Sequence, residues 1–283
     1  MEIVNYGGEG MDNFNIEGGA TSFTIDVIIP VYKPDQKFTY LLERLVRQSI
    51  KPGNIYLLQT VEDDPTLQTK DQKASEDRVT SLAESLSGSS CPIKCVHINK
   101  SEFDHGGTRN LGAHLSDADI IMFMTQDAVP DNKDLIKHML EPFSDSKVAA
   151  VYGRQLPSKQ AGAIETYTRT FNYPPESYIK SKEDLPVLGI KTYFCSNVCS
   201  AYRKSVYDEL GGFVTKTIFN EDMIMASAII QAGYSIAYAA DAKVVHSHEY
   251  SYIQQFKRNF DLAVSQQQYK DIFSGVKSES EGI

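Results

Sequence analysis

The sequence predicts an α/β protein with a mostly parallel central sheet and helices on both of its faces. Two observations lead to this prediction. Short apolar runs alternate with helical segments through the first half of the chain, a pattern typical of parallel strands joined by crossover helices. An isolated acid, Asp127, closely follows the apolar run at residues 120–124, and open α/β sheets hold their ligands at the carboxyl ends of their strands.

Hydrophobic periodicity defines the elements of the first half of the chain. Apolar runs bounded by turn residues predict strands, and apolar residues that recur with the helical period predict helices. The predicted strands cover residues 26–31, 55–58, 93–98, 120–124 and 148–152. The predicted helices cover residues 38–46, 73–86, 108–115 and 133–140.

The pattern loosens after Gly153. Residues 154–189 are rich in proline, tyrosine and charge, and Asn172-Tyr173-Pro174-Pro175 is a clear helix breaker. The elements predicted beyond them are a strand-like stretch over residues 192–202, a helix from Glu221 to Gly233, short strands over residues 236–239 and 243–246, and a long amphipathic helix from Ser251 to about Phe273.

We predict three parts in the chain: a flexible leader at residues 1–22, one large domain at residues 23–249, and a C-terminal amphipathic helix with a polar tail at residues 250–283. The leader is glycine-rich and lacks the basic start and apolar core of a signal peptide. No apolar run approaches the roughly 20 residues that cross a bilayer. We therefore expect a cytoplasmic protein.

Composition narrows the class of partner. The chain has 283 residues, of which 41% are hydrophobic and 23% charged, as is ordinary for a globular protein. Its net charge of −9 argues against nucleic acid, because the phosphate backbone favours a basic surface. A small anion such as a nucleotide diphosphate needs only local cations or a metal.

The four cysteines form two C-x-x-x-C pairs, Cys91/Cys95 and Cys195/Cys199. Structural zinc sites more often use C-x-x-C spacing. Cys195 and Cys199 lie in an apolar segment. We therefore expect these two residues to pack as small hydrophobic side chains.

Four short segments carry polar or charged residues where an α/β fold would place a site. They are residues 27–34, a strand that ends in a proline and an aromatic residue; residues 103–110, a glycine turn that leads into a helix; residues 125–128, which contain Asp127; and residues 220–223, with two acids at a helix start and His246-Ser247-His248 further along. Each segment alone is a weak signal, and their order along the chain is the informative feature.

In this order the segments resemble family-2 inverting glycosyltransferases of the GT-A fold, and within them the rhamnosyltransferase-like group. The resemblance covers about residues 24–265. Further matching segments are residues 153–157, 169–174, 194–203, 211–213 and 255–261. The resemblance implies a GT-A nucleotide-diphospho-sugar transferase fold over residues 23–249, followed by a C-terminal helical extension.

The resemblance also implies a divalent-metal site around Asp127. This residue corresponds to the second acid of a DxD-type motif, and Thr125 stands where the first acid usually sits. His246 matches the position from which related enzymes supply an imidazole ligand, and His248 is its neighbour. The expected ion is Mn²⁺ or Mg²⁺, which would neutralise the leaving diphosphate as a Lewis acid. Without this context, the two histidines would be surface imidazoles at the exit of a strand.

Inverting sugar transfer needs a base for the acceptor hydroxyl, and the transition state at the anomeric carbon resembles that of glycoside hydrolysis. The resemblance places this base at Asp222, with Glu221 orienting the acceptor or supporting Asp222. An alternative is that both are acids of a first helical turn, favoured there by the helix dipole.

The nucleotide site departs from the family pattern. The family commonly has an aspartate after the second strand that reads the base, and Gln59 stands there in this chain. Base recognition is therefore expected from backbone groups near Pro30 and Tyr32, together with Glu62 and Arg109. Lys257 and Arg258 would meet the diphosphate, or else form a solvated helix face. The expected nucleotide-sugar ligands are Pro30, Tyr32, Gln59, Glu62, Arg109, Gln126, Asp127, Lys257 and Arg258.

The resemblance implies transfer of L-rhamnose from dTDP-L-rhamnose to a saccharide or lipid-linked glycan in cell-surface polysaccharide synthesis. One alternative is the same fold with a UDP-sugar donor, which a donor screen would reveal. The other is a catalytically inactive protein that binds sugar nucleotides. The paired acids Glu221 and Asp222 argue against an inactive protein, because a scaffold does not need them.

The C-terminal helix carries an amphipathic stripe that includes Tyr252, Phe256 and Phe260. Such a stripe is more often core or a homodimer interface than a membrane anchor. Lipid-linked acceptors keep peripheral contact with the inner face of the cell membrane open as an alternative. The helix has few basic residues for an electrostatic anchor.

Overall fold

The computed structural model describes residues 23–64, 66, 68–88, 90–248 and 250–273. The predicted leader and the end of the polar tail lie outside the described residues. The strands form one sheet. They are β1 Ile25–Val31, β2 Ile55–Val61, β3 Ile93–Asn99, β4 Ile120–Met124, β5 Val129–Pro130, β6 Val148–Leu156, β7 Tyr178–Lys180, β8 Cys199–Arg203 and β9 Ser235–Val245.

The helices flank this sheet and connect its strands. They are α1 Gln36–Leu45, α2 Lys70–Leu86, α3 His105–His114, α4 Leu135–Leu140, α5 Ala163–Asn172, α6 Leu185–Leu188, α7 Lys204–Glu209, α8 Glu221–Gln231, α9 Tyr252–Gln268 and α10 Lys270–Phe273.

The sheet has the strand order β3-β2-β1-β4-β8-β6-β9-β5, with β7 paired to β9. Strands β3, β2, β1 and β4 are parallel, as the sequence predicts. The other half is mixed, because β8 runs antiparallel to both β4 and β6, while β6 and β9 are parallel. The carboxyl ends of β1, β2 and β4 therefore lie along one edge of the sheet, where a ligand site is expected.

The core has two layers, one on each face of the sheet. Strand β1 illustrates this arrangement, since Val27 and Ile29 pack in one apolar cluster and Ile28 packs in the other. Helices α1, α2 and α4 cover the first cluster, and helices α3, α7 and α8 cover the second. Successive side chains of a strand point to opposite faces. A strand that is apolar throughout therefore needs a helical layer on each face of the sheet, and both layers are present.

Three predicted elements in the second half differ from the structure. Residues 189–193 form a 3₁₀ helix, so the strand predicted from residue 192 begins only at Cys199. The two short strands predicted around residues 236–246 are one strand, β9, whose pairing with β6 shifts register opposite Gly153 and Arg154. Apolar strand patterns do not reveal such irregularities, because a bulge changes the pairing and not the composition.

The helix predicted from Ser251 to about Phe273 is divided at Tyr269 into α9 and α10, and the apolar stripe of α9 is not part of the core. Tyr252 is 89% exposed and Phe256 is 71% exposed. The helix is held near its end by Ser265, which is 1% exposed and donates from Oγ to the carbonyl of Phe219 at 2.6 Å. Of the helices in the described ranges, none has the length and apolar character of a membrane span.

Cys195 and Cys199 are buried, as predicted, and their thiols are free. Burial raises the pKa of each thiol to about 12. Since the thiolate is the reactive form, these residues pack as small apolar side chains and are unreactive at neutral pH.

Candidate active site

The loop after β4 is tied to the end of β1 by one side chain. Gln126 Oε1 accepts the backbone N–H of Tyr32 at 2.8 Å, and its Nε2 donates to the carbonyl of Tyr32 at 3.0 Å. Both polar ends of the Gln126 amide are thus occupied by backbone groups. This pair of hydrogen bonds fixes the position of the next residue, Asp127, at the edge of the sheet.

Asp127, His246 and His248 converge at this edge. Asp127 Oδ2 lies 3.5 Å from His246 Nε2 and 3.2 Å from His248 Nε2, and the two Nε2 atoms are 2.8 Å apart. His246 is 6% exposed. Burial, followed by the positive charge of Arg169, holds the pKa of His246 well below its usual range. His246 is therefore neutral at neutral pH, which is the form that binds metal ions.

The three groups fit a single divalent cation. Ligand atoms about 2.1 Å from one metal ion are separated from their neighbours by roughly 3 Å, close to the distances observed. Among the described residues, this is the one group of three acidic, imidazole or thiol side chains close enough to share an ion. Two imidazoles and one carboxylate suit a transition metal ion better than Mg²⁺, which prefers oxygen ligands.

Strand β6 and helix α5 supply the surroundings of the two imidazoles. Gln155 Oε1 lies 3.0 Å from His246 Nδ1, and Arg169 Nη2 lies 3.2 Å from the same nitrogen. Glu165 Oε1 accepts the backbone N–H of His248 at 2.9 Å. The polar side of α5 therefore packs on the candidate metal site formed by Asp127, His246 and His248, while Ile164, on the same helix, is 75% exposed.

The predicted acid pair begins α8. The residue before the helix, Asn220, has φ 69° and ψ 13°, a left-handed conformation that asparagine tolerates better than most residues. Asp222 Oδ2 accepts the backbone N–H of Asn197 at 3.2 Å. Burial and the adjacent charge of Glu221 raise the pKa of Asp222 to about 7. A carboxyl group with this pKa is suited to act as a general base near neutral pH.

Arg109 and Asn197 contact the other acid of the pair. Arg109 Nη1 lies 3.3 Å from Glu221 Oε1, and both side chains are less than a tenth exposed. Asn197 Nδ2 donates to Glu221 Oε1 at 3.4 Å. The Oδ1 atom of Asn197 accepts from Ser200 Oγ at 2.8 Å and Tyr202 OH at 3.0 Å, so the amide has a single orientation.

The glycine-containing segment 103–110 holds the loop that precedes the acid pair. Asp104 accepts the backbone N–H of Gly107 at 2.6 Å and that of Lys216 at 2.8 Å. A Cβ on Gly106 would lie 2.0 Å from the carbonyl oxygen of Val214. The segment therefore needs glycine at residue 106 because the backbone of residues 213–217 passes directly against it.

Hydrogen bonds and one peptide link connect the candidate metal site (Asp127, His246 and His248) to the acid pair (Glu221 and Asp222). Gln155 Nε2 donates to Tyr173 OH at 2.5 Å and to Ser196 Oγ at 3.0 Å. Ser196 directly precedes Asn197, whose backbone N–H donates to Asp222. The two parts of the candidate site are thus neighbours in one polar network.

Four aromatic rings and one guanidinium contact one another in series from His105 to His248. His105 stacks on Phe219 with ring centroids 6.3 Å apart. The Arg258 guanidinium carbon lies 5.1 Å from the Phe219 centroid and 5.8 Å from the Tyr250 centroid. Tyr250 in turn stacks on His248 at 5.1 Å. Helix α9 therefore places one cation, Arg258, between Phe219 and Tyr250. Phe219 lies just before the acid pair in the chain, and Tyr250 stacks on the candidate metal ligand His248.

A small pocket lies at the carboxyl ends of β1 and β2. Tyr32, Gln59, Thr60 and Glu62 are among its lining residues. Gln59 Oε1 and Thr60 Oγ1 are buried and have no hydrogen-bond partner within the described part of the chain. Glu62 accepts from Gln72 Nε2 at 2.7 Å. The pocket thus offers unpaired acceptors where the sequence predicts nucleotide binding.

The structure brings the predicted site residues together in two places and separates a few of them. Arg109 does not line the pocket near Gln59; it lies beside Glu221. Lys257 and Arg258 lie on the exposed side of α9. Pro30 is at the end of β1, next to the pocket. These placements leave the assigned roles as predictions.

Sequence reasoning missed five residues that contact the site. Four of them, Gln155, Asn197, Arg169 and His105, lie in segments that match the family but had no assigned role. The fifth, Glu165, lies outside those segments. The available signal was the position of the four residues within the matching segments 103–110, 153–157, 169–174 and 194–203.

Solved structures similar to this one are glycosyltransferases. The mannosyltransferase PcManGT from Pyrobaculum calidifontis, in complex with GDP-Man and Mn²⁺, has a TM-score of 0.57 at 14% identity, over 84% of this chain and 64% of that chain. S. aureus TarS 1-349, in complex with UDP-GlcNAc, has a TM-score of 0.57 at 15% identity, over 81% of this chain and 60% of that chain. The fold is the GT-A fold of glycosyltransferases.

Sequence comparison identifies the family. The family model for Glycosyl transferase family 2 matches residues 26–211. The chain is 42% identical over 241 residues to the O-antigen chain rhamnosyltransferase RfbN of Salmonella typhimurium, covering 85% of this chain and 71% of that protein. It is 52% identical over 170 residues to the O-antigen chain rhamnosyltransferase WbaN of Salmonella anatum, covering 60% of this chain and 54% of that protein. The chain belongs to glycosyl transferase family 2 and is a glycosyltransferase.

Proposed function

We propose that the protein transfers L-rhamnose from dTDP-L-rhamnose to a saccharide or lipid-linked acceptor during O-antigen synthesis, with inversion and with a divalent metal. The observation that carries the proposal is the convergence of Asp127, His246 and His248 next to the network that leads to Asp222. The names of RfbN and WbaN support the sugar and the polysaccharide.

The acid pair supplies the base of the reaction. The acceptor hydroxyl oxygen forms a bond to the anomeric carbon of the donor, while the bond from that carbon to the diphosphate oxygen breaks. The hydroxyl proton passes to Asp222, whose pKa of about 7 leaves a substantial carboxylate fraction at neutral pH. Glu221, held by Arg109 and Asn197, orients the acceptor beside this base.

The negative charge on the leaving diphosphate is stabilised at the end of the site that contains Asp127, His246 and His248. A divalent metal held by Asp127, His246 and His248 would supply Lewis-acid stabilisation of the departing diphosphate. Arg258 contributes a second positive charge from α9, since its guanidinium rests between Phe219 and Tyr250. Lys257, on the same exposed side of the helix, is the further cation that we assign to the diphosphate.

We assign the base of the nucleotide to the carboxyl ends of β1 and β2, where the small pocket lies. Thymine and uracil each present one imide N–H between two carbonyl oxygens, and Gln59 Oε1 and Thr60 Oγ1 are acceptors without a partner among the described residues. Both atoms are buried, so a side chain must move before a bound base can supply the missing donor to one of them. A buried acceptor without a partner is costly. Tyr32 and Glu62 line the same pocket.

A UDP-sugar is the second candidate donor. The same pocket would accept uracil, which lacks only the methyl group of thymine. TarS, which shares the fold, has been solved with UDP-GlcNAc. The names of the more similar sequence relatives favour rhamnose.

A donor screen tests the proposal. Nucleotide release and sugar transfer would be measured with dTDP-L-rhamnose and with common UDP-sugars, each with Mn²⁺, with Mg²⁺ and with chelator. We expect the fastest turnover with dTDP-L-rhamnose and Mn²⁺, because the donor set contains two imidazoles. Turnover with UDP-sugars alone would select the second candidate. Wild-type rates in chelator, or in an Asp127→Asn variant, would contradict the metal role.

We also propose that the protein is cytoplasmic and meets the inner face of the membrane through its two exposed apolar helix faces. Phe171 on α5 and Phe256 and Phe260 on α9 are 60%, 71% and 60% exposed. Vesicle flotation of the wild type and of a Phe256→Ser/Phe260→Ser variant tests this, with Val187→Ser on α6 as an equally exposed control. Flotation lost only in the α9 variant would support membrane contact. A wild-type dimer in solution that the α9 variant abolishes would show instead that the stripe is a homodimer interface.

A further inference from the structure

Gln155 contacts His246 Nδ1 through its side-chain amide. We propose that it holds this imidazole in the tautomer with its proton on Nδ1, and that Gln155 is thereby a positioning residue for metal binding. The inference rests on the metal role of His246 proposed above. Gln155 lies on β6 and contacts His246 at Nδ1, the ring nitrogen opposite the Nε2 atom that faces Asp127 and His248.

The orientation of the Gln155 amide follows from its four neighbours. Its Nε2 donates to Tyr173 OH at 2.5 Å and to Ser196 Oγ at 3.0 Å. Its Oε1 accepts from Arg169 Nη1. A reversed amide would set its NH₂ group against the guanidinium, a donor facing a donor, because arginine has no acceptor. The amide oxygen therefore faces both Arg169 and His246.

The amide oxygen in turn determines the tautomer of the imidazole. Gln155 Oε1 lies 3.0 Å from His246 Nδ1, and since an amide oxygen can only accept, Nδ1 must carry the proton. Nε2 then presents its lone pair to the space shared with Asp127 and His248. A metal-binding histidine usually donates its other ring N–H to such a partner, which fixes the tautomer and the ring direction.

Arg169 favours the opposite tautomer. Its Nη2 lies 3.2 Å from the same Nδ1, and a guanidinium can only donate. An imidazole that accepted this bond would carry its proton on Nε2, where it would block a metal. Gln155 and Arg169 therefore compete for Nδ1. Without Gln155, the remaining partner selects the form that does not bind metal.

A matched pair of variants tests this competition. Gln155→Leu removes the amide from the site. Gln48→Leu removes a second buried glutamine that is 2% exposed and donates to the carbonyls of Arg44 and Asn132, neither of which is a site residue. The ¹⁵N shifts of the His246 ring in ¹⁵N-histidine-labelled, metal-free protein report the tautomer. Mn²⁺ affinity is measured separately by electron paramagnetic resonance.

We expect the Nδ1–H form of His246 in wild type and in Gln48→Leu, and the Nε2–H form in Gln155→Leu. Loss of such a partner typically weakens metal binding by about 10–100-fold, so Gln155→Leu should bind Mn²⁺ that much more weakly than Gln48→Leu. Gln155→Glu keeps an acceptor beside Nδ1 and should retain the wild-type tautomer.

The two readouts separate the possible failures. A wild-type tautomer in Gln155→Leu, or equal losses of Mn²⁺ affinity in both leucine variants, would overturn the role of Gln155. If Gln155→Leu does not fold, an Nε2–H tautomer in Gln155→Glu would overturn it equally. Wild-type protein that shows the Nδ1–H form but binds no Mn²⁺ would contradict the proposed metal role and leave the tautomer assignment standing.

Discussion

His246 Nε2 and His248 Nε2 lie 2.8 Å apart, and both face Asp127. Two imidazole nitrogens that both carried bare lone pairs would repel each other at this distance. In the metal-free protein one of the two nitrogens must therefore carry a proton and donate a hydrogen bond to the other. When a metal binds, the cation shared by Asp127, His246 and His248 takes the place of this N–H. Because the ligands must lose protons to bind, affinity should fall in acid.

His246 should contribute more to metal affinity than His248. His246 is buried and its ring is held by Gln155, whereas the His248 side chain is 34% exposed. A rigid ligand loses less conformational entropy on binding. Loss of a supporting partner alone costs about 10–100-fold, so His246→Ala should cost at least that in Mn²⁺ affinity, and His248→Ala should cost less. Titration of Mn²⁺ into both variants measures the order, and a reversed order would contradict it.

The acid limb of the pH–rate profile should report Asp222. A general base works as its carboxylate, and the pKa of Asp222 is raised to about 7 by burial and by Glu221. We expect kcat/KM, which reports the ionisation of the free enzyme, to fall about tenfold per pH unit below this value. Glu221→Gln removes the neighbouring negative charge and should shift the limb to lower pH. Profiles of both proteins over pH 5–9 give the comparison, and a limb unmoved in Glu221→Gln would assign it to another group.

The same pKa predicts how stability changes with pH. The pKa of Asp222 in the folded state lies above its unfolded value of 3.8, so the folded state binds this proton more tightly. The stabilisation is fully present below pH 3.8 and is lost as pH rises through about 7. Asp222→Asn cannot titrate. Its unfolding free energy should therefore rise relative to wild type between pH 4 and 7 and stay level above, as measured by urea unfolding at each pH. A constant difference would contradict the raised pKa.

The parallel half of the fold could be predicted because its strands are apolar throughout. Ile120–Met124 is buried at every position, so the run itself identifies the strand. The antiparallel strand β8 could not be placed, because its position between β4 and β6 depends on the path of the intervening chain. Helix α5 was missed for a related reason. None of its residues is buried, and its polar side faces the site rather than an apolar core.

The site was predictable where position along the chain determines chemistry. Asp127 lies just beyond the end of a buried strand, and Asp222 lies in the first turn of a helix, so both could be singled out. The nucleotide role of Arg109 stays a prediction, and its pairing with Glu221 could not be predicted because it depends on the rotation of α3. Gln155 lies in a matching segment, but its contact with His246 joins residues 91 positions apart and could not be predicted from the segment alone.

Arg109 should stabilise the fold through its buried ion pair. Both side chains of the Arg109–Glu221 pair are less than a tenth exposed. Removing one partner of a buried pair leaves an uncompensated charge, which typically costs about 3–5 kcal/mol. Arg109→Gln should therefore lower the unfolding free energy by about 3 kcal/mol at pH 8. Lys204→Gln breaks the pair with Asp208, whose side chain is 55% exposed, and should cost less than about 1 kcal/mol. Similar urea midpoints for the two variants would contradict the assignment.

Gly106 links the glycine-containing segment to catalysis. A Cβ at this residue would lie 2.0 Å from the carbonyl oxygen of Val214, so Gly106→Ala must displace the loop that leads to Asn220 and Asp222. Gly88→Ala is the matched control, because a Cβ at Gly88 meets no atom of the described residues within 4 Å.

We expect Gly106→Ala to lose stability by about 1–3 kcal/mol, as overpacked sites do. Donor binding at the β1–β2 pocket should stay near wild type, whereas kcat should fall because the base is misplaced. Unfolding by urea, equilibrium binding of the nucleotide and transfer kinetics on both alanine variants separate these effects. A Gly106→Ala enzyme with wild-type kcat would show that the 213–217 loop does not position Asp222.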